Sequence, residues 1–306
     1  MNHAIDRRSF LGTTTVMGAG AAMGAGISLL GPRAAGLFAA EAAKGAPNAE
    51  KIGWRLCCAA YSFNRLTFFE ALDKIAALGL RYVEGFTWQK LSPEKPKVET
   101  NDTMSAADRR LTKKRLADAG IKMPVCYCRK LEEEKACRKT FEFAKEMGIE
   151  SLVAEPPFEA YDMIEKLCDE YQVNLAVHNH PAPSKYWNPN TLAKLAKGRS
   201  KRIGACCDTG HWVRSGFKPV DALKLLEGRI ISFHLKDVDS FGKKEAECVP
   251  WGTGKGDIEA ILRHMYRQGF KGVFSIEYEP YKPENFAKIA QCVAFFDKTA
   301  AKLAAG

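Results

Sequence analysis

Histidine, aspartate and glutamate recur at one kind of place in this chain: the point where a short apolar run stops. Glu84, Glu155, His178 with His180, Asp208 with His211, His234 with Lys236 and Asp237, and Glu277 with Glu279 all stand there. Four of the six histidines are among them, although histidine has no intrinsic preference for strand ends. Imidazole and carboxylate groups converging from several strands can hold a divalent cation. Mixed nitrogen and oxygen ligation suits Mn²⁺, Co²⁺, Zn²⁺ or Fe²⁺ better than Ca²⁺ or Mg²⁺. Asp208, His234 and Glu277 end three consecutive apolar runs and anchor the candidate set. The chemistry such a set serves is proton abstraction beside a metal-polarised oxygen, with Glu277, Glu155 or a histidine as base.

The spacing around these residues sets local geometry. His178 and His180 are two apart and share a face if the strand runs through them. Asp208 and His211, in the run CCDTGHW from Cys206 to Trp212, are three apart and cannot share a face of a regular strand. Gly210 is therefore expected to let the chain turn after Asp208, bringing His211 back over the site. Trp187, Trp212 and Trp251 follow strands at the same end. Exposed aromatics there suit stacking on sugar faces, with plain loop packing as the alternative.

These residues must be carried by regular elements, and from Lys51 onward the chain supplies them. Apolar runs such as LCCAAYSF, RYVEGF, IKMPVCYC and RIISFHLKDV alternate with amphipathic stretches such as TFFEALDKIAALGL and EEEKACRKTFEFAKEMG. Most helical stretches end at glycine just before the next strand, as such junctions prefer. Eight strand–helix units emerge, the last helix running from about Glu284 to Leu303. This order predicts a closed (β/α)8 TIM barrel, a single α/β domain with its chemistry at the C-terminal ends of the strands. No GxGxxG follows the first strand, against a dinucleotide fold. The late GTGKG lies inside a loop and is at most a weak phosphate or substrate-loop signal.

The first residues differ from the rest. Arg7 and Arg8 in DRRSFLG precede a Gly/Ala-rich uncharged run, the outline of a twin-arginine export signal. Ala40-Glu41-Ala42 fits a small-x-small cleavage site. Residues 1–42 are thus expected to be signal and linker and 43–306 the barrel, in a periplasmic or otherwise exported protein with no membrane span after cleavage. Ten cysteines in an exported chain would suggest disulfides. Cys57-Cys58 and Cys206-Cys207, however, are adjacent pairs within apolar runs, and most of the ten read as small buried hydrophobes. The net charge of +10 comes partly from DRRLTKKRL and KGRSKR, which at helical spacing read as solvated faces. Aromatics do not interleave them, so no nucleic-acid partner is expected.

Taken in order, GLRYVEGF, NLAVHNHP, DTGHW, HLKD and SIEYE resemble the xylose-isomerase-like barrels of sugar isomerases, epimerases and inosose dehydratases, over about Lys51 to Leu303. In that family a Glu after strand five, an Asp after strand six, a His after strand seven and a Glu after strand eight bind the metal. The resemblance implies that Asp208, His234 and Glu277 are ligands and that His211 contacts substrate. The chain departs at strand five, where the family commonly has LALENH and this sequence reads LAVHNH. His178 thus stands in a carboxylate's place and removes one of the two carboxylates that shuttle protons in the epimerases. Glu155, one strand earlier, is a candidate to supply it.

The expectation is a metal-dependent sugar isomerase or epimerase acting on a small carbohydrate. Its metal set is His178, Asp208, His234 and Glu277, its catalytic groups Glu155, Glu277 and His211, and its substrate contacts His180, Trp212 and Lys236. Mn²⁺, Co²⁺ or Zn²⁺ would be the cofactor. A keto-sugar or 3-keto-glycoside lyase or dehydratase is the alternative outcome on the same site. A non-catalytic sugar-binding barrel and a metal-dependent nuclease are the other readings, and export argues against the nuclease.

Overall fold

The computed structural model describes residues 45–306. The expected signal segment, residues 1–42, lies outside the described residues. Eight strands alternate with eight principal helices: β1 (Arg55–Ala59), α1 (Phe68–Ala77), β2 (Tyr82–Phe86), α2 (Ala106–Asp118), β3 (Lys122–Tyr127), α3 (Glu134–Met147), β4 (Ser151–Ala154), α4 (Tyr161–Tyr171), β5 (Asn174–His178), α5 (Pro189–Leu195), β6 (Ile203–Asp208), α6 (Pro219–Leu225), β7 (Ile230–Leu235), α7 (Ile258–Arg267), β8 (Val273–Ile276) and α8 (Asn285–Ala305). All neighbouring strands run parallel, and β8 pairs with β1 to close the barrel. The expected (β/α)8 barrel is what the chain forms.

Local sequence explains the element ends. Thr67 and Glu70 exchange hydrogen bonds as a capping box at the start of α1. α3 stops at Gly148, whose φ of 74° lies in the left-handed region. Strand residues are buried on both faces, one toward the barrel axis and one toward the helices, which accounts for the near-continuous apolar runs. Trp54, Phe233, Phe274 and Phe296 pack ring against ring between sheet and helices, with centroids 4.8–5.4 Å apart.

All ten cysteines are free and buried, as the adjacent pairs in the strands implied. Burial pushes the Cys58 and Cys168 thiols up to about 12, so they behave as apolar filler near neutral pH. Among the described residues no helix is long and apolar enough to cross a membrane.

Beyond the last backbone pairs of the ladder, polar side chains stitch the strand ends together. Asn179 donates to the Asp208 carbonyl at 3.0 Å and accepts from the Asp208 amide at 2.9 Å, joining the end of β5 to that of β6. Thr209 repeats the device toward β7, donating to the Lys236 carbonyl and accepting from the Lys236 amide. Ser62 does so between β8 and β1, through the Ile276 carbonyl and the Tyr278 amide. These clips hold the polar ends of the staves in register where regular pairing has stopped.

Candidate metal centre

Asp208 ends β6 and caps a short helix, Thr209–Arg214. Its Oδ1 accepts from the His211 amide at 2.8 Å, the ordinary work of an N-cap aspartate. Oδ2 is left pointing away from that helix, toward the imidazoles. It lies 3.4 Å from His178 Nε2, 3.5 Å from His211 Nε2 and 4.0 Å from His234 Nδ1. Glu277, just past β8, brings Oε2 to 2.9 Å from His234 Nδ1. His178, Asp208, His234 and Glu277, all buried, each offer a ligand-type atom within 4.8 Å of the others. This is the predicted set of four, gathered by strands five to eight.

The donor chemistry fits a cation. His178 Nε2, Asp208 Oδ2 and His234 Nδ1 are buried and make no well-aligned hydrogen bond. Asp208 Oδ2 meets the Lys236 ammonium at 2.9 Å and His234 Nδ1 meets Glu277 Oε2 at 2.9 Å, while His178 Nε2 has only Asp208 Oδ2, at 3.4 Å. Buried polar atoms are expensive to leave poorly matched. The remaining ring nitrogens are held from behind. His234 Nε2 is 2.8 Å from Glu84 Oε1, on β2. His178 Nδ1 is 3.4 Å from Glu155 Oε1, just past β4. Each carboxylate favours a proton on the nitrogen facing it and leaves the inner nitrogen's lone pair free, the arrangement by which metal-ligating histidines are oriented. Asp208 and Glu277 both face the one buried ammonium, Lys236, and Glu84 faces His234. With both imidazoles neutral, as ligands must be, the three carboxylates outnumber the positive charge, and a divalent cation would supply the balance.

Without a cation the fields are strong. Burial opposes ionisation of Asp208, yet His211, Lys236 and His178 hold its carboxyl well below the usual range. Glu277 is likewise held low against burial by His234 and Lys236. Burial would lower the His234 pKa, but Cys206, Glu277 and Glu84 raise it well above the ordinary imidazole value. For His178, Asp208 and Glu155 overcome burial and raise it.

Lys236, expected as a substrate contact, is only 1% exposed, and its Nζ lies 2.9, 2.7 and 2.8 Å from carboxylate oxygens of Asp208, Glu277 and Glu279. It serves the carboxylates of the centre directly. Gly210 permits this for a different reason than expected. A Cβ there would lie 2.6 Å from the Lys236 Cβ, so the position needs space and not a special turn.

His211 lines the mouth. Its Nδ1 accepts from Arg214 at 3.0 Å, leaving the ring proton on Nε2, which lies 3.5 Å from Asp208 Oδ2 and 3.4 Å from Lys236 Nζ. Burial, reinforced by Lys236 and Arg214 against Asp208, holds its pKa well below the usual value.

Other expected residues fall elsewhere. Glu155 stands behind His178 and is not among the four; its Oε1 also accepts from the Tyr127 hydroxyl at 3.0 Å and hydrogen-bonds to His180 Nδ1. His180 is half exposed at the rim. Trp212 and Trp251 are 1% and 3% exposed, packed into the core beneath the loops, so neither presents the open stacking face that was expected. Trp187 is half-buried. The GTGKG loop is bound to Asp237, whose carboxylate accepts from the Gly252, Gly254 and Gly256 amides at 2.8–2.9 Å. Those amides are thus committed within the protein. A Cβ at Gly254 would sit 2.4 Å from Asp237 Oδ1.

Residues 72–299 match the family model described as xylose isomerase-like TIM barrel. A solved structure of an uncharacterized protein from Parabacteroides distasonis is 32% identical with a TM-score of 0.66, covering 80% of this chain and 99% of its own. A D-tagatose 3-epimerase-like protein is 16% identical with a TM-score of 0.64, covering 82% and 100%. A Bacillus anthracis protein described as a probable 3-DHS dehydratase is 13% identical with a TM-score of 0.61, covering 79% and 98%. A further barrel, 19% identical with a TM-score of 0.56 and covering 81% and 97%, was solved with a zinc atom. Among curated proteins, an uncharacterized protein of Sinorhizobium fredii is 27% identical over 129 residues, which span 42% of this chain and 40% of that protein.

Proposed function

This chain belongs to the xylose isomerase-like TIM barrel family, and from that premise we propose that it is a divalent-metal-dependent carbohydrate isomerase or epimerase. The observation that carries the reading is the convergence of four buried side chains, His178, Asp208, His234 and Glu277, each with a ligand-type atom within 4.8 Å of the others. The four side chains would hold Mn²⁺, Co²⁺ or Zn²⁺. A cation bound there would supply Lewis-acid polarisation of a sugar carbonyl oxygen, which acidifies the C–H on the adjacent carbon, or of a hydroxyl oxygen, which acidifies that hydroxyl. Glu277, kept ionised by Lys236 at 2.7 Å, accepts that proton. His211 presents Nε2–H to a substrate oxygen, with its tautomer set by Arg214. His180 contacts the substrate at the rim. Glu155 fixes His178 and exchanges protons with it and with His180.

The imidazole of His178 at strand five favours a second outcome. With a carboxylate base at strand eight and no second carboxylate at strand five, the centre has a base on one side, and His180, half exposed at the rim and hydrogen-bonded to Glu155, is the group that can give a proton to a departing β-oxygen on the other. That is the requirement of a lyase or dehydratase acting on a keto-sugar or 3-keto-glycoside. The likeness to a barrel described as a dehydratase is compatible with it. Incubating metal-loaded protein with ketoses and keto-glycosides in D₂O, followed by NMR, tests both. Deuterium uptake at carbon without release supports isomerase chemistry, and release of the β-substituent supports elimination. Sugar binding with neither event, unaffected by chelation, would point to the non-catalytic barrel and overturn the proposal. Export by the twin-arginine route, inferred from Arg7 and Arg8, belongs to the same proposal and is tested by fusing residues 1–42 to a reporter.

A further inference from the structure

Two cavities flank the centre. One, of about 450 Å³, is lined by His211, which touches Asp208, by Glu279, which touches Lys236, and by Arg214, which touches both His211 and Glu279, and it is bounded by Tyr61 and Asn64. The other, of about 400 Å³, begins at the same Tyr61 and Asn64 and is lined by Trp88, Gln89, Thr67 and Glu70. Each is of the size that takes a small ligand.

The second cavity has features the mechanism does not use. Tyr61 and Trp88 are half-buried, 6.1 Å apart at 73°, and both pack on Phe86. Trp88 also meets Tyr127 at 5.4 Å, and Tyr127 in turn touches His178 and His234, so this aromatic wall is continuous with the metal centre. Gln89 is 6% exposed and oriented by donating its amide N–H groups to the Ala60 and Leu66 carbonyls, while its Oε1 has no partner among the described residues. A two-stranded ribbon, Lys90–Ser92 with Lys95–Glu99, holds this segment rigidly. Arg129 lies over the Trp88 ring, 5.2 Å from its centroid, and Gln89 Oε1 is itself buried; what the cavity offers a sugar is the Tyr61 and Trp88 rings for its C–H face and Asn64, Arg65 and Glu70 for its hydroxyls.

We propose that the Tyr61–Trp88–Gln89 cavity is a second sugar-ring subsite, so that the substrate is a glycoside of two or more rings with the reacting ring at the metal centre. The proposal rests on the carbohydrate reading above and deepens it.

Glucose and the disaccharides cellobiose, maltose and trehalose are the probes, titrated calorimetrically into metal-loaded full-length protein. At least one disaccharide is expected to bind about tenfold or more tighter than glucose, the worth of one stacked ring. Trp88→Ala should abolish that preference, Trp88→Phe should restore part of it, and Gln89→Leu should reduce it with the fold intact by circular dichroism. Equal affinity for glucose and every disaccharide, or a preference untouched by Trp88→Ala and Gln89→Leu, overturns the subsite and leaves the carbohydrate reading standing. Binding of no sugar at all, by protein that still takes up its metal, sinks both.

Discussion

His234 and His178 approach the same carboxylate oxygen of Asp208, and each is backed by a carboxylate from the first half of the barrel, but the two backings differ. Behind His234, Glu84 is wholly buried and 2.8 Å away. Behind His178, Glu155 retains about a fifth of its side-chain exposure, lies 3.4 Å away and divides one oxygen among Tyr127, His178 and His180. A buried carboxylate with one partner fixes a tautomer and holds it. A shared, partly wet carboxylate can redistribute its protons. The pair built on β7 and β2 is thus the rigid side of the centre, and the pair at the ends of β5 and β4 the adjustable side, next to the half-exposed His180 at the rim.

The largest effect should come where the two sides meet. Asp208→Asn keeps the N-cap and the fold but removes the charge both imidazoles share. Bound metal should fall to a small fraction of one equivalent, and kcat/KM should drop on the order of 10³-fold. Retention of full metal content by this variant would show that His178 and His234 do not serve one ion.

Removing the backings separates the sides. Glu84→Ala strands His234 Nε2 in a wholly buried site, and the metal-free protein should lose about 3–5 kcal/mol in urea unfolding. Glu155→Ala, at a wetter position, should lose about 1 kcal/mol. For metal affinity, Glu84→Gln is expected to weaken binding about 10–100-fold and Glu155→Gln less. Equal losses from the two would erase the distinction between rigid and adjustable sides.

Protons compete with the cation at both imidazoles. In the metal-free protein the His178 and His234 pKa values are raised. Their protonated forms therefore stabilise the fold fully below the unfolded value of about 6.5, and this contribution is lost as pH rises through the folded values. Glu155 is held low, because His178 and His180 outweigh burial; its contribution is present above about 4.3 and lost as pH falls. Metal-free protein should accordingly be most stabilised by this pair between those two values. Metal affinity should rise with pH by up to about tenfold per unit for each proton displaced, and level off once pH passes the raised folded values of the two imidazoles. Calorimetry in buffers of different ionisation enthalpy counts those protons, and a count of zero would remove both histidines from the ligand set.

The four residues that converge as candidate ligands were readable from sequence because each is a polar residue closing an apolar run, and the strand period says which end of a stave it occupies. What was not readable depends on where other staves lie. Nothing local to Glu84 announces that it will back His234 from 150 residues away. Lys236 and Trp212 looked available for substrate because loops after strands are usually open. Their burial follows from the short helix after Asp208, which folds Trp212 inward and lays Gly210 against the lysine stem. The HNH run at the end of strand five hid Asn179, whose role is to bond the Asp208 backbone. Its neighbours on both sides, His178 and His180, drew attention to imidazole chemistry.

The finest test concerns the hydroxyl of Tyr127. It donates to Glu155 Oε1 at 3.0 Å, while the ring stacks on Phe86 and meets the edge of His178. Glu155 has no such third partner's counterpart at Glu84, whose Oε2 is buried and unmatched. Tyr127→Phe keeps the ring and removes one of three claims on the shared oxygen. The net loss should be about 1 kcal/mol or less in stability, and metal affinity should change less than it does in Glu155→Gln, because His178 and His180 remain to hold the carboxylate. If Tyr127→Phe instead weakened metal binding as much as Glu155→Gln, the tyrosine would be what orients Glu155, and the adjustable side of the centre would be as firmly held as the rigid one.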